Sequence, residues 1–332
     1  MTRRIKIAGG GLAGLSLGIA LLKRGVAVEL HEALAYPRHR VCGEFISGVS
    51  DGTLGNLGIA PALADAERLA TASWHDGRGL VSEMEVRGLG ISRWDLDGRL
   101  RCGFENLGGV LHTGARISAG EGIVWAAGRP RARGSWIGLK CHFRGLELRR
   151  DLEMFAAPGG YLGLARIGNG VVNACGLFTG RHSNGSKGPE MLIGILESMG
   201  LGNLAGRLRN AEADAGSFCG VAGFQPGSQR GPAFSIGDAA WMIPPFTGNG
   251  MTMAFESAEC ALQPAWDYAL GKSDWDSAAK AVERSQRRRF RKRMVAAMGL
   301  HVFLTVPLAL RTVLALARRR CVPFQTLLQL VR

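Results

Sequence analysis

Two short constellations near the start of the chain carry the residue types and spacing that chemistry needs. Gly9-Gly10-Gly11-Leu12-Ala13-Gly14 is a G-x-G-x-x-G, and Glu32 follows about twenty residues on. Backbone N–H groups bared by such glycines bind a pyrophosphate, and a carboxylate at that distance holds a ribose hydroxyl. The alternative for Glu32 is an exposed surface charge. The second constellation is Cys42-Gly43-Glu44, preceded by Arg38, His39 and Arg40. A thiol reacts only as thiolate, a form that neighbouring cations favour, whereas a buried cysteine is otherwise a packing residue. Cys42 and Glu44 are therefore catalytic candidates on the substrate side, with packing as the alternative. His75, His112, His142, His182 and His301 show no metal-ligand spacing, and no Ser-His-Asp arrangement is evident. No metal site is expected.

The elements around the first constellation explain its register. Ile5 to Ala8 is a short apolar run that predicts a buried parallel strand running into the glycines. Leu15, Ile19 and Leu22 share a helical face, Gly25 ends that helix, and Val26 to Leu30 is a second strand with Glu32 just past its end. Gly9 permits the tight turn, Gly11 lets backbone approach the pyrophosphate, and Gly14 lets helix and strand pack closely. The helix N-terminus adds free N–H groups and a positive dipole end.

Further along, residues 51 to 68 read as helical. Ala72 to His75 and Ser82 to Val86 form a hairpin around Asp76-Gly77. A helix runs from Arg93 to about Glu105. Strands follow at Val110 to Ile117 and Gly122 to Ala126, the latter leading into Ala127-Gly128-Arg129-Pro130. Trp136 to Phe178 alternates like a sheet, and Pro189 to Met199 reads as a helix. Glycine-bearing strand and helix return between 231 and 260.

At 332 residues the chain has room for about two domains. Its seven cysteines include no C-x-x-C pair, which fits a reducing cytoplasm rather than a disulfide framework, and no signal peptide is evident. The net charge of +14 is uneven, because residues 284 to 332 hold twelve Lys/Arg and no acid. The rest is nearly neutral, and no nucleic-acid signature accompanies the charge, so nucleic acid is disfavoured as a partner. Within that tail, Met294 to Leu310 is an apolar run of about seventeen residues between basic clusters. It is short for a membrane span. The pattern predicts a basic amphipathic helical tail on an anionic membrane surface, or a helical cover over the substrate domain. The first reading places the protein in the cytoplasm, peripheral at the inner face of the membrane.

Taken with the first motif, Gly237-Asp238 followed by Pro245 and Gly248-Asn249-Gly250-Met251 resembles the FAD-dependent aromatic hydroxylase (group A flavin monooxygenase) and geranylgeranyl reductase superfamily. The resemblance spans roughly residues 1–285. It implies an α/β fold: a Rossmann-like FAD-binding domain of glutathione-reductase type with an inserted β-sheet substrate domain and a C-terminal helical tail. The implied division is 1–71, 90–130 and 231–283 for FAD, 72–89 and 131–230 for substrate, and 284–332 for the tail. By the same resemblance Asp238 meets the flavin ribityl chain, the alternative being a strand-end cap. Pro245, Gly248, Asn249, Gly250 and Met251 present backbone to the cofactor. Arg93, in Ile-Ser-Arg-x-x-Leu-Asp, lies near FAD, and Arg40 and Gly128 complete the cofactor set. The acid that usually precedes Gly128 is replaced by Ala127, and the Trp-x-Trp-x-Ile-Pro of flavin halogenases is absent. Cys42-Gly43-Glu44 and Pro158-Gly159-Gly160-Tyr161 look like the reductase branch, with Tyr161 in the substrate pocket. The implied activity is oxygenation of a lipophilic or aromatic small molecule through a flavin hydroperoxide, with NAD(P)H or a protein donor as transient reductant. Reduction of isoprenoid or polyketide double bonds, and a catalytically idle flavoprotein at the membrane, are the alternatives.

Overall fold

The computed structural model describes residues 2–129, 134–180, 186–229, 231–319, 321–322 and 324–331; Pro130, His182 and Arg320 lie outside them. Ile5–Ala8 (β1) leads through Leu12–Lys23 (α1) to Val28–Glu32 (β2), a parallel pair joined by a helix. Phe45–Ser47 (β3), Asp51–Leu57 (α2) and the long hairpin Glu67–Asp76 (β4) and Gly79–Gly90 (β5) come next. Arg93–Asn106 (α3), Val110–Thr113 (β6) and Ile123–Trp125 (β7) return to the first sheet. Its order is β6-β2-β1-β7, all parallel. Residues 234–236 add a fifth position, since Trp125 N–H donates to Phe234 O (2.8 Å) and Ile236 N–H to Trp125 O (2.9 Å).

The second sheet has eight strands. Trp136–Arg144 (β8), Leu152–Ala157 (β9), Gly160–Arg166 (β10) and Val171–Thr179 (β11) precede helices Pro189–Ser198 (α4) and Gly202–Arg209 (α5), and Glu212–Ala222 (β12) follows. The order is β12-β8-β11-β10-β9-β4-β5-β3, parallel only at β4–β9. Strand alternation splits this sheet between two environments. Leu139, Cys141, Phe143, Leu162, Val172 and Phe178 pack under α4 and α5. Lys140, His142, Asn173 and Tyr161 occupy the alternate positions of the same strands, and Cys42 O accepts from Asn173 Nδ2 (2.9 Å) on that side.

A short antiparallel pair, Gly227–Ser228 (β13) and Trp241–Met242 (β14), precedes Gly250–Ala269 (α6), Trp275–Thr305 (α7), Pro307–Arg318 (α8) and Phe324–Leu330 (α9). Helices α1, α3 and α6 bury Ile5, Ile7, Val28 and Leu30 of the parallel sheet.

Several elements differ from expectation. The segment 51–68 is helical only at α2 and a 3-10 turn over Ala60–Leu63, because Glu67 to Leu69 pair with Gly88 to Gly90. Ladder hydrogen bonds outweigh a weak helical pattern there. Glu32 is the last residue of β2 rather than just beyond it, and β6 and β7 are shorter than their apolar runs. Helix α5, with Gly202 and Gly206 in eight residues, was not legible in the pattern. Helix α7 starts at Trp275, so the basic stretch from 284 continues a helix already packed on the parallel-sheet core through Ala278, Ala279 and Val282.

Phe104 on α3 is fully buried, with its ring filling the space beside Gly18 of α1 and Gly109. Truncating it leaves a cavity that neither glycine can fill. Phe104→Ala is expected to lower unfolding free energy by about 3–5 kcal/mol, measured by urea denaturation.

Candidate functional site

The glycine loop is shaped by what its neighbours exclude. Gly9 has φ +110°, and a Cβ there would collide with the Ala126 carbonyl at the end of β7. A Cβ at Gly14 would strike the Gly9 carbonyl, whereas Gly11 faces open space. Thus Gly9 and Gly14 seat α1 on the sheet, and Gly11 leaves room for a ligand at the helix N-terminus.

Glu32, nearly buried, aims its carboxylate back into this loop. It accepts from Gly10 N (2.9 Å), Leu34 N (3.1 Å) and Arg38 Nη2 (3.2 Å). Arg40 lies between two acids, with Nε 3.2 Å from Asp97 Oδ2 and Nη2 3.8 Å from Glu32. Arg93 grips the same Asp97 with Nε and Nη2, both at 2.8 Å. Arg38 Nε and Arg40 Nη2 are buried without a hydrogen-bond partner among the described residues. Buried unpaired donors are costly, and these two sit beside the glycine loop.

Asp238 follows the fifth sheet position, in the 3-10 turn Gly237–Ala239, with Gly237 N held by Ser257 Oγ (2.8 Å). The residue is solvent-exposed, and Arg93, Arg129 and Arg40 are the charges that act on its carboxylate. Burial raises its pKa, against the pull of Arg93, Arg129 and Arg40. No described residue donates to it as a strand-end cap would require. Gly128 has φ +76°, and the next residue, Arg129, donates to Gly223 O (3.0 Å).

Pro245 opens a 3-10 turn that ends at Gly248, in the left-handed region at φ +66°, where a Cβ would meet the Phe45 ring. Gly250 then starts α6, whose first-turn N–H groups have no side-chain cap. The side chains of Asn249 and Met251 turn inward. Asn249 Nδ2 donates to Thr247 O (3.1 Å) and to Val331 O, and Met251 is part of the core. Asn249 N donates to Thr247 Oγ1 (3.3 Å) and its O accepts from Met253 N (2.8 Å), so the uncapped amides at the start of α6 remain for a ligand.

On the side of the large sheet, Cys42 and Glu44 have different fates. Glu44, fully buried at φ +54°, accepts from Arg93 N (2.9 Å) and His142 Nε2 (2.5 Å), with Lys140 Nζ at 3.3 Å. Burial would raise its pKa, but His142, Lys140 and the Arg93 amide outweigh burial and hold it below the ordinary value. It is an anchored anion. Burial pushes the Cys42 thiol up, against the pull of Arg93. Arg38, His39 and Arg40 are engaged elsewhere: the arginines on Glu32 and Asp97, His39 on Lys140 Nζ (3.0 Å). Burial thus disfavours the Cys42 thiolate, and the three cations that would favour it are turned to other partners.

Tyr161 lies buried in an apolar cluster with Met154, Ala156, Leu177, Leu304 and Leu310. Its ring meets Phe246 edge-on at 6.2 Å, and His301 stacks on the other ring of that pair, Phe246, at 6.2 Å and 8°. Burial lowers the His301 pKa. Lys140, Asp97 and Phe246 were not singled out by sequence reasoning, and His142 and His301 were weighed only as metal ligands and set aside. A signal existed for Lys140, a charge that interrupts the Ile137–Phe143 run, in which His142 is the one other polar side chain. The others are linked only by the fold. The fold also brings Glu29, His31 and His112 together on neighbouring strands, a grouping chain spacing hides, although Glu29 is paired with Arg4 and Lys6.

The sequence matches no protein-family model and no curated protein. Its fold does have counterparts among solved structures. Klebsiella pneumoniae HpxO, complexed with FAD and uric acid, superposes with a TM-score of 0.76 at 14% identity, covering 99% of this chain and 95% of HpxO. The chain has the fold of the FAD-dependent monooxygenases. Pseudomonas aeruginosa PqsL in complex with 2-aminobenzoylacetate gives a TM-score of 0.74 at 14% identity, over 92% of this chain and 98% of PqsL. The flavin-dependent brominase Bmp2 gives 0.74 at 17%, over 100% and 93%. The monooxygenase fold thus extends over nearly the whole chain, C-terminal helices included.

Replacing Glu44 by Gln would strand Lys140 without its counter-charge. Glu44→Gln is expected to cost about 3–5 kcal/mol in urea unfolding, and adding Lys140→Met should recover part of it. Because the folded carboxyl titrates below its ordinary value of 4.5, its contribution is present above that pH and is lost on acidification. The variant should therefore lose part of the acid sensitivity seen in the parent.

Proposed function

We propose that this chain is an FAD-dependent monooxygenase acting on a lipophilic or aromatic small molecule. The observation that carries the reading is Asp238: a solvent-exposed carboxylate under the charges of Arg93, Arg129 and Arg40, one residue from Gly237, which packs against Ala13 of the glycine loop. The residues around that loop fit the cofactor. Glu32 would hold the adenosine ribose. The α1 N-terminus at Gly11, with the unpaired donors of Arg40 and Arg38, would hold the pyrophosphate. Asp238 would hold the ribityl chain, and the backbone from Gly248 to Met251 at the start of α6 would meet the ring. When bound, FAD supplies the redox and oxygen chemistry.

The chain itself binds, orients and excludes water. Arg93, locked by Asp97, keeps a cation between Cys42 and Asp238; Tyr161 and Phe246 give the substrate side an aromatic, water-poor wall. Overall, one oxygen atom of O₂ enters the substrate and the other leaves as water, with two electrons from NAD(P)H or a protein donor. We assign 1–71, 90–130 and 231–283 to the FAD-binding domain and 72–89 with 131–230 to the substrate domain, β3 and the start of β4 being strands of the large sheet at their junction. The C-terminal segment would place the enzyme at the inner face of the membrane. Double-bond reduction and an idle flavoprotein draw no support from the structural neighbours.

Two measurements test the reading. Protein mixed with FAD and gel-filtered should retain a flavin spectrum. Supplied with reductant, lipophilic phenols and ¹⁸O₂, it should yield product carrying one labelled oxygen; peroxide alone, or a colourless protein, would overturn the proposal. Asp238→Asn should weaken FAD binding by roughly ten- to a hundredfold. Because burial disfavours the ionised form, the same change should raise the melting temperature of the flavin-free protein at pH 7. A strand-end cap predicts the opposite shift.

A further inference from the structure

Helices α7 and α8 meet at 98°, with the break at Val306-Pro307. No single helix among the described residues is long and apolar enough to cross a membrane, and a right-angled elbow is not a straight span. The elbow has two sides. Inward, Leu304 and Leu310 are buried against Tyr161, and His301 stacks on Phe246. Outward, Val302 is 52% exposed, Phe303 48% and Leu308 75%, with Val306 exposed between them. Four neighbouring apolar side chains at one corner are more than the scattered exposure of an ordinary surface.

Charge is arranged around this tip. No Lys, Arg, Asp or Glu lies between Met294 and Leu310. On the exposed face of α7, Arg288, Arg291 and Lys292 precede Val295 and Val302 at helical spacing; Arg311 on α8 and Arg319 just past its end follow Leu308. Other arginines nearby are already committed: Arg289 and Arg293 to Glu256, and Arg318 to Asp76. The five exposed cations make no ion pair with the described residues and have no acid near them in the chain.

We propose that the α7–α8 elbow is an interfacial anchor for an anionic bilayer: the apolar corner enters the headgroup–acyl boundary while the basic arms lie on the lipid phosphates. Such anchoring combines buried apolar area with attraction to anionic lipid. Resting on the oxygenase reading, it also names the substrate class. The inner side of the same corner, through Leu304 and Leu310, covers the Tyr161 cluster assigned above to the substrate side, so a substrate dissolved in the bilayer would enter beside the anchor.

Flotation of the full chain with phosphatidylcholine vesicles, with and without 30% phosphatidylserine (~30 mol % as a cytoplasmic-leaflet mimic), tests the anchor without any need for turnover. The expected result is binding to the anionic vesicles, weakened by salt and reduced roughly tenfold or more by Phe303→Ser with Leu308→Ser. The variant should keep the parent's circular dichroism and melting temperature, because both side chains are exposed. A parent that stays unbound, or a variant that binds equally, overturns the proposal. So does a dimer in sedimentation equilibrium that the same variant dissolves, since a second copy would then cover the corner. In turnover, the variant should lose activity on a vesicle-dissolved phenol and keep it on a water-soluble one. Flotation without any oxygenation would leave the anchor standing and sink the oxygenase reading; oxygenation without flotation would do the reverse.

Discussion

Glu44 is the constraint on which the two sheets depend. A carboxylate removed from water is tolerable only when nearly every lone pair is matched. Here the matching donors come from both halves of the molecule: Lys140 and His142 from β8, and the Arg93 amide from the start of α3. Satisfying that one anion fixes the loop from Tyr36 to Glu44 between the sheets and orients the α3 N-terminus. It also explains why Lys140 can sit in the interior of an apolar strand.

From Arg93 the constraint passes on electrostatically. Its guanidinium is locked on Asp97, Asp97 shares Arg40, and Arg40 reaches Glu32, whose carboxylate reads the glycine loop. Charges alternate along this line from the large sheet to the glycine loop. Two links stand out of balance. Arg38 and Arg40 retain buried unpaired donors, and Asp238 is an acid raised by burial. Unsatisfied groups of opposite sign around the glycine loop are what a ligand with phosphates and hydroxyls would resolve. A protein keeps such local cost where binding repays it.

The C-terminal helices belong to the same design. Helix α7 begins on the core of the parallel sheet and ends over the Tyr161 cluster, while Asn249 in the turn before α6 binds Val331 near the chain end. The stretch read from sequence as either membrane contact or helical cover has a face suited to each: Leu304 and Leu310 inward, Phe303 and Leu308 outward.

The sequence by itself determined the β1–α1–β2 unit. Strand, glycines, helix and Glu32 are consecutive, so their geometry follows from local steric rules and short-range hydrogen bonds. Gly237-Asp238 and Gly248 were picked out by resemblance to a family rather than by local rules. The cysteine-containing loop was legible as a place but not as a chemistry, because the ionisation of Cys42 depends on burial and on Arg93, fifty-one residues away in the chain. Lys140, His142 and Asp97 became partners, and His301 met Phe246, only when long-range strand pairing and helix packing brought them together. Desolvation and charge pairing act through space, so tertiary structure alone decided which titratable groups are anchored and which stay free for a ligand.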